Sequence, residues 1–260
     1  MSNPIPLSQI PNASGTCPIC PSHGKGMCQK MRVEDLLQTV KADRAQRTYP
    51  AGESLYQQGT TSPNYFVVLE GWVALSATLE DGEKQILDFV LPGELLGMQP
   101  YDDASFGHTA ETLTTTKVLV LPRDQFDEAM ITDPRLMSQV MRMAACREAR
   151  AFDQMQNIGR RSARNRIAHM FVGLFYQLKG HFPQEPGESI ELNLTLNHIG
   201  DALGLTNVHV SRTLGELRKQ GLLHLNQRRM TVLNPIALMQ ASGYAATGAR
   251  PIVSPLRIVV

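Results

Sequence analysis

Residues 196–223 constrain what this chain can fold into more tightly than any other stretch of its 260 residues. Ile199 and Leu203 on one side of Gly204-Leu205, and Val210, Leu214 and Leu217 on the other, recur at the spacing of a buried helix face. Two helices that share one small core with Leu205 across so short a turn must diverge steeply, and glycine supplies the backbone freedom for that turn. Thr206 stands where an N-cap opens the second helix, which puts Asn207, Val208, Ser211 and Arg212 in its first turns. The pattern predicts a helix-turn-helix whose second helix faces base edges of double-stranded DNA, with Arg212 suited to a bidentate contact with guanine.

The flanking residues fit the same reading. After Gly221, the apolar runs 222–225 and 230–233 bracket Asn226-Gln-Arg-Arg229, a two-stranded wing with a basic tip in which Arg228 and Arg229 meet phosphates. Arg218 and Lys219, with Arg160, Arg161, Arg164 and Arg166 upstream, add positive charge to this half of the chain. A single arginine is most often a solvated one, so it is the conjunction of turn, recognition helix and basic wing that points to nucleic acid. The formal net charge of +1 does not oppose this, because a locally basic face can be balanced elsewhere.

Upstream the periodicity changes. Between residues 45 and 122 short apolar runs alternate with turn signals, as in a compact antiparallel β domain, and Asp81-Gly82 between 73–79 and 85–90 is a hairpin turn. Thr132-Asp133-Pro134 then reads as a helix start, with Asp at the N-cap and Pro in the first turn. The helix it opens runs from 134 to about 158, and Met141, Ala144, Ala145, Glu148, Phe152, Met155 and Ile158 form a stripe along it. Such a stripe pairs either with a second subunit or with the helix's own domain. Met137, Met141, Met143 and Met155 supply flexible packing on this helix rather than a cofactor box. A second helix spans 162–178, and 192–196 leads into the helix-turn-helix as a short strand or turn.

The phrases Pro50-Ala-Gly-Glu-Ser-Leu-Tyr-Gln-Gln-Gly59 and Leu91-Pro-Gly-Glu-Leu-Leu-Gly97, with Val210-Ser211-Arg212 in the second helix, resemble the cyclic-AMP-receptor/FNR family over almost the whole chain. The resemblance implies an α+β fold with an N-terminal antiparallel β-roll of the cyclic-nucleotide-binding type, a long dimerisation helix and a C-terminal winged helix-turn-helix. It implies a homodimer on a palindromic site, with RNA polymerase as a partner. The expected parts are a cysteine-containing loop (1–31), the β-roll (32–131), the dimer helix (132–159), the DNA-binding domain (160–241) and a poorly ordered tail (242–260). Family members that bind cyclic nucleotides carry an Arg-Ser pair in the phosphate loop, whereas this chain reads Ser105-Phe-Gly-His-Thr-Ala-Glu111. Without an arginine to pair with a cyclic phosphate, nucleotide binding is not expected. FNR-type members also have Glu three residues before the Ser-Arg pair; Val208 stands there instead, and it suits a thymine methyl rather than a base amine.

Three of the 4 cysteines, Cys17, Cys20 and Cys28, crowd one proline- and glycine-rich segment, and Cys146 stands alone. In a cytoplasmic chain, as is expected here, such a cluster points to metal, an iron–sulfur centre or redox chemistry before structural disulfides. The segment resembles the ligand loop of the FNR-like oxygen sensors, which implies a [4Fe-4S] cluster on Cys17, Cys20 and Cys28. The strand that would carry the fourth cysteine, Lys117-Val-Leu-Val-Leu-Pro122, has none, which leaves Cys146, a carboxylate or His23. Zinc on Cys17, Cys20, His23 and Cys28, a thiol–disulfide switch, and a loop of ordinary thiols are the alternatives, since soft ligands alone do not choose among them. By itself, Cys146 reads most simply as a small buried hydrophobe.

No phosphate-binding loop, nucleophile elbow or paired-carboxylate arrangement stands out, so an enzyme is not expected. His169 reads as a packing histidine, and His198 and His209 as surface or phosphate contacts. With no leader-like segment in 1–14 and no apolar run of membrane-spanning length, a cytoplasmic protein without a membrane partner is expected.

Overall fold

The structure, a computed structural model, describes residues 46–100 and 104–244. The segment carrying Cys17, Cys20, His23 and Cys28 lies outside the described residues, as does the chain beyond 244. The first half is a β-roll of two four-stranded antiparallel sheets. One has the order β1 (Gln46–Tyr49), β8 (Thr116–Pro122), β3 (Asn64–Glu70), β6 (Leu95–Leu96). The other has the order β2 (Ser54–Tyr56), β7 (Thr109–Thr112), β4 (Val73–Thr78), β5 (Lys84–Val90). Phe66, Val68, Val73, Leu75, Leu96 and Val118 are among the side chains that fill the space between them. The Asp81-Gly82 hairpin is present, with β4 and β5 paired from Val73↔Val90 to Thr78↔Lys84.

Helix α1 (Arg123–Thr132) was not foreseen from the sequence. Only Phe126 and Ala129 on it are buried, so its apolar signal is too thin to mark a helix. Asp133 then accepts a hydrogen bond from the Arg135 amide at 2.8 Å and caps α2 (Pro134–Arg160), as its Asp-Pro start predicts. Leu136 and Val140 tie the beginning of α2 to the β-roll core. Farther along, Met141, Ala145, Glu148, Phe152, Met155 and Gly159 are all exposed. They form two series seven residues apart, 141-148-155 and 145-152-159, which is the repeat of a helix-pairing seam.

The second half packs α3 (Ala163–Lys179), α4 (Leu196–Leu203), α5 (Asn207–Lys219) and α6 (Pro235–Ser242) around Phe171, Phe175, Leu203 and Leu217. The wing has three strands, in the order β10 (Leu223–Asn226), β11 (Arg229–Val232), β9 (Ser189–Glu191). The strand ahead of the helix-turn-helix thus ends at Glu191, earlier than expected, because Thr195 is taken as the N-cap of α4. Trp72, just ahead of β4, Ala74 on β4, and Ile86 and Phe89 on β5 belong to the same apolar cluster as the C-terminal half. The β-roll and the C-terminal half therefore share a core. Packed structure also continues past the expected start of the tail, since Ser242 and Tyr244 are buried. No helix among the described residues is long and apolar enough to cross a membrane.

Candidate nucleic-acid interface

Helix α4 opens on a capping box: the Thr195 hydroxyl accepts from the His198 amide, and His198 Nδ1 accepts from the Thr195 amide, both at 3.2 Å. His198, expected at the surface, is thus half-buried and part of the helix start. Burial, and then the charge of Lys84, hold its imidazole below the ordinary histidine range, consistent with a ring nitrogen that must stay unprotonated to accept.

The turn between α4 and α5 rests on two glycines. Gly204 caps α4 in the left-handed region at φ +63. Gly200 lies one turn earlier, where a Cβ would sit 2.5 Å from the Leu205 carbonyl oxygen. The Leu205 amide donates to the Gly200 carbonyl at 3.0 Å, so the chain folds back over that bare Cα. Reading the sequence singles out Gly204 and passes over Gly200; a second glycine inside a helix, where alanine costs less, is the signal that finds it.

Thr206 caps α5 by accepting from the His209 amide at 3.3 Å. Val210, Thr213 and Leu217 turn into the core, which leaves Val208, Ser211, Arg212 and Arg218 on the outer face. Val208 is 80% exposed, an apolar side chain with no core to fill. Arg228, at the wing tip, and Arg229, at the start of β11, are exposed as well. Among the described residues none of Arg212, Arg218, Arg228 and Arg229 enters an ion pair, so their charges remain available to an anionic partner.

Other expected contacts are engaged within the protein. The Asn207 side-chain amide donates to Asn197 Oδ1, which ties the start of α5 to α4. Arg164 donates to Gln220 Oε1 at 2.8 Å. Arg166 donates to the carbonyls of Arg161 (3.0 Å) and Leu203 (3.1 Å), and Arg161 to Asn157 Oδ1 at 3.3 Å. Arg161 and Arg166 therefore brace the α2–α3 junction rather than adding free charge to a DNA-facing surface.

The helix-turn-helix is held by the rest of the molecule through the last carbonyls of α4. Gln85 of β5 donates to the Asp201 carbonyl and Gln154 of α2 to the Ala202 carbonyl, each at 2.6 Å, while Arg166 takes that of Leu203. Groups that would be unpartnered at a helix C-terminus thus become the points where the β-roll, the long helix and α3 grip it.

A second polar assembly joins the β-roll to α2. Arg150 donates to Glu94 at 2.7 Å and to Asp88 at 2.9 Å. Burial opposes its charge, but the two carboxylates outweigh burial and keep the guanidinium protonated. Burial pushes the Glu94 carboxyl up while Arg150 pulls it down. Beside this network a cavity of about 260 Å³ opens between β5, α2 and α3, with Ile86, Arg147, Gln154, His169 and Gln177 among its walls. Among the described residues, Arg147 Nε and Gln177 Oε1 are buried without a hydrogen-bond partner. Where a cyclic-nucleotide site would need its arginine, Phe106 is buried and stacks on Tyr56 with ring centroids 3.9 Å apart.

Cys146 is half-buried on α2, next to Ala145 of the exposed stripe. Among the described residues no group of three or more His, Cys, Asp or Glu is arranged to hold a metal.

Comparison with known proteins agrees with this architecture. Residues 46–133 match the family model for a cyclic nucleotide-binding domain, and residues 165–241 that for a Crp-like helix-turn-helix domain. The chain is 29% identical over 232 residues to the transcriptional activator protein FnrA of Stutzerimonas stutzeri, covering 88% of this chain and 93% of that protein. It is 28% identical over 198 residues to the anaerobic regulatory protein of Pasteurella multocida, covering 75% of this chain and 71% of that one. Among solved structures, FixK2 from Bradyrhizobium japonicum superposes with a TM-score of 0.67 at 28% identity, over 75% of this chain and 96% of that one.

Proposed function

We propose, from the premise that this chain belongs to the CRP/FNR family of transcription regulators, that it binds a palindromic DNA site as a homodimer and couples that binding to oxygen or redox state. Its relatives are transcription regulators, and it is not an enzyme. It binds DNA through the Crp-like helix-turn-helix.

The observation that carries the finer reading is the pairing of two exposed surfaces. One is the face of α5 and the wing, with Thr206, Val208, Ser211, Arg212, Arg218, Arg228 and Arg229 exposed. The other is the seven-residue stripe of α2, where Phe152 is 55% and Met155 68% exposed. Large apolar side chains in such a repeat call for a second helix, and a two-fold pair of α2 helices presents two recognition helices to two half-sites. Arg212 reads guanine, Val208 meets a thymine methyl, and Arg228 and Arg229 neutralise phosphates. Asn207 contributes by steadying α5 through Asn197. RNA polymerase is the onward partner, and the cytoplasm the place of action.

For the signal, Cys17, Cys20, Cys28 and Cys146 supply four thiolates, the number that a [4Fe-4S] cluster takes. The name of the Pasteurella relative, an anaerobic regulator, supports that choice over zinc held with His23. When bound, such a cluster supplies an oxygen-labile centre. What this chain adds is the location of Cys146, beside Ala145 of the stripe, so that a ligand held by its thiolate would act on the surface through which the α2 helices pair. Purification without oxygen, followed by iron, sulfide and zinc analysis and DNA binding before and after air, tests the reading. Iron and sulfide that disappear in air together with DNA affinity support it; a colourless protein whose DNA binding ignores air overturns the redox part.

The interdomain cavity favours a second reading, in which a small molecule is the signal. Its walls combine the apolar Ile86 and Leu174 with the polar Arg147, Gln154 and Gln177, a lining that suits a small polar ligand. The aromatic stack of Phe106 on Tyr56, in the loop where a cyclic phosphate would need an arginine, argues against a cyclic nucleotide as that ligand.

A further inference from the structure

We propose that His169 is a positioning residue which, with Asp153 and Tyr244, fixes the angle between the long helix and the DNA-binding domain and so the separation of the two recognition helices. The proposal rests on the reading of a homodimer at a two-fold site and names the part of the chain that sets the geometry of that pairing.

His169 lies on α3 and is 3% exposed, with a partner at each ring nitrogen. Nδ1 is 2.9 Å from the Ser242 carbonyl, and Nε2 is 2.6 Å from Asp153 Oδ2. A backbone carbonyl accepts only, and an ionised carboxylate likewise, so the ring donates from both nitrogens. Tyr244 stacks on the same ring with centroids 3.9 Å apart and planes 17° apart, and its hydroxyl donates to Asp153 Oδ2 at 3.1 Å. Arg161, at the end of α2, brings Nη1 to 3.9 Å from the other oxygen, Oδ1. One carboxylate on α2 therefore accepts hydrogen bonds from α3 and from the segment after α6, and pairs with a cation at the α2–α3 junction.

The charges agree with this arrangement. Burial alone would raise the Asp153 carboxyl, but the hydrogen bond and charge of His169 outweigh it and hold the carboxyl below its ordinary range. Burial first, and then the Asp153 charge, push the Tyr244 hydroxyl up, so that it stays protonated and donating.

Apolar packing between two helices tolerates sliding, because it has little direction. Two hydrogen bonds converging on one carboxylate oxygen, with the Arg161 charge beside the other, do not, since each bond weakens steeply off axis. The junction they span is two residues long, Arg161 and Ser162, and it is braced separately by Asn157, whose amide donates to the Arg166 carbonyl at 3.3 Å. A change of angle there displaces the whole helix-turn-helix relative to its twin, and a dimer reads such a displacement as half-site spacing.

The test uses the full-length protein and a palindromic duplex selected from random sequences, remade with spacers one and two base pairs shorter and longer. His169→Phe keeps the ring stack on Tyr244 and loses both donors; Tyr244→Phe loses one hydroxyl. DNA affinity across the spacer series, melting temperature and dimer content are measured for each. The expected result is a wild type with one spacer optimum and, in folded, dimeric His169→Phe, a fall of about tenfold in preference for that optimum. Tyr244→Phe shifts the preference in the same direction by less. A spacer preference unchanged in both variants, whatever the change in melting temperature, overturns the clamp. A wild type with no spacer preference overturns the two-fold-site reading and the clamp with it.

Discussion

Gly200→Ala adds a single methyl group at the tightest point of the helix-turn-helix, and its cost can be worked from the structure. The new Cβ would lie 2.5 Å from the Leu205 carbonyl oxygen, about 0.9 Å inside the 3.4 Å at which ordinary contact begins. The obstacle is backbone, so no side chain can swing aside, and α4 and α5 must separate. Overpacking of this kind costs about 1–3 kcal/mol. Weakening the bond from the Leu205 amide to the Gly200 carbonyl adds about 1 kcal/mol, and the better helix propensity of alanine returns about 1 kcal/mol. The balance is a loss of about 1–3 kcal/mol, which for a domain of this size lowers the melting temperature by roughly 2–4 °C per kcal/mol. DNA affinity should fall further than stability predicts, because the movement is transmitted to Thr206 and the first turn of α5. Thermal denaturation and binding to a fixed duplex read the two effects. A variant as stable as the wild type, with unchanged DNA affinity, would refute the close-approach argument.

Arg212→Ala should lose about 1–3 kcal/mol of discrimination at one base pair, whereas Arg228→Ala should weaken binding to all sequences alike and reduce the salt slope, as competition titrations at several salt concentrations would reveal. Arg150→Met takes the directly bonded cation from buried Glu94 and leaves half-buried Asp88 only the longer pair with Arg147 at 3.9 Å, and urea denaturation should register a loss of up to about 3–5 kcal/mol. The neutral imidazole of His198 accepts the Thr195 amide, and its folded-state pKa lies below the ordinary 6.5, so the unfolded chain binds the proton more readily. Its contribution is therefore complete above about pH 6.5 and lost as pH falls through the lower folded value. His198→Gln should flatten that acid limb of a stability profile, and a profile identical to wild type would contradict the capping role.

Much of this architecture is legible in the sequence where local chemistry and tertiary packing agree. Asp133-Pro134 opens α2, Asp81-Gly82 turns the hairpin, and Thr206 caps α5, because each acts within a few residues of itself. What the sequence conceals depends on contacts between distant segments. Only two buried residues mark α1, and α6, an eight-residue helix that the sequence reading leaves unassigned, is fixed by packing Pro235 and Leu238 inward. Ser242 and Tyr244 look like the start of a loose tail, yet they close on His169, 73 and 75 positions away in the chain. The candidate interface shows the same division. Val208, Ser211 and Arg212 follow from helical spacing alone, whereas the diversion of Asn207 to Asn197 and of Arg166 to two backbone carbonyls needs the fold.

The central claim is that two chains, paired through α2, read one two-fold DNA site with two α5 helices. Sedimentation of the protein on a selected palindromic duplex, wild type beside Met155→Glu, tests it directly. The account predicts two wild-type chains per duplex and, for a folded Met155→Glu chain, dissociation to monomers with loss of specific binding. One wild-type chain per duplex, or a Met155→Glu chain that still binds in pairs, would contradict it.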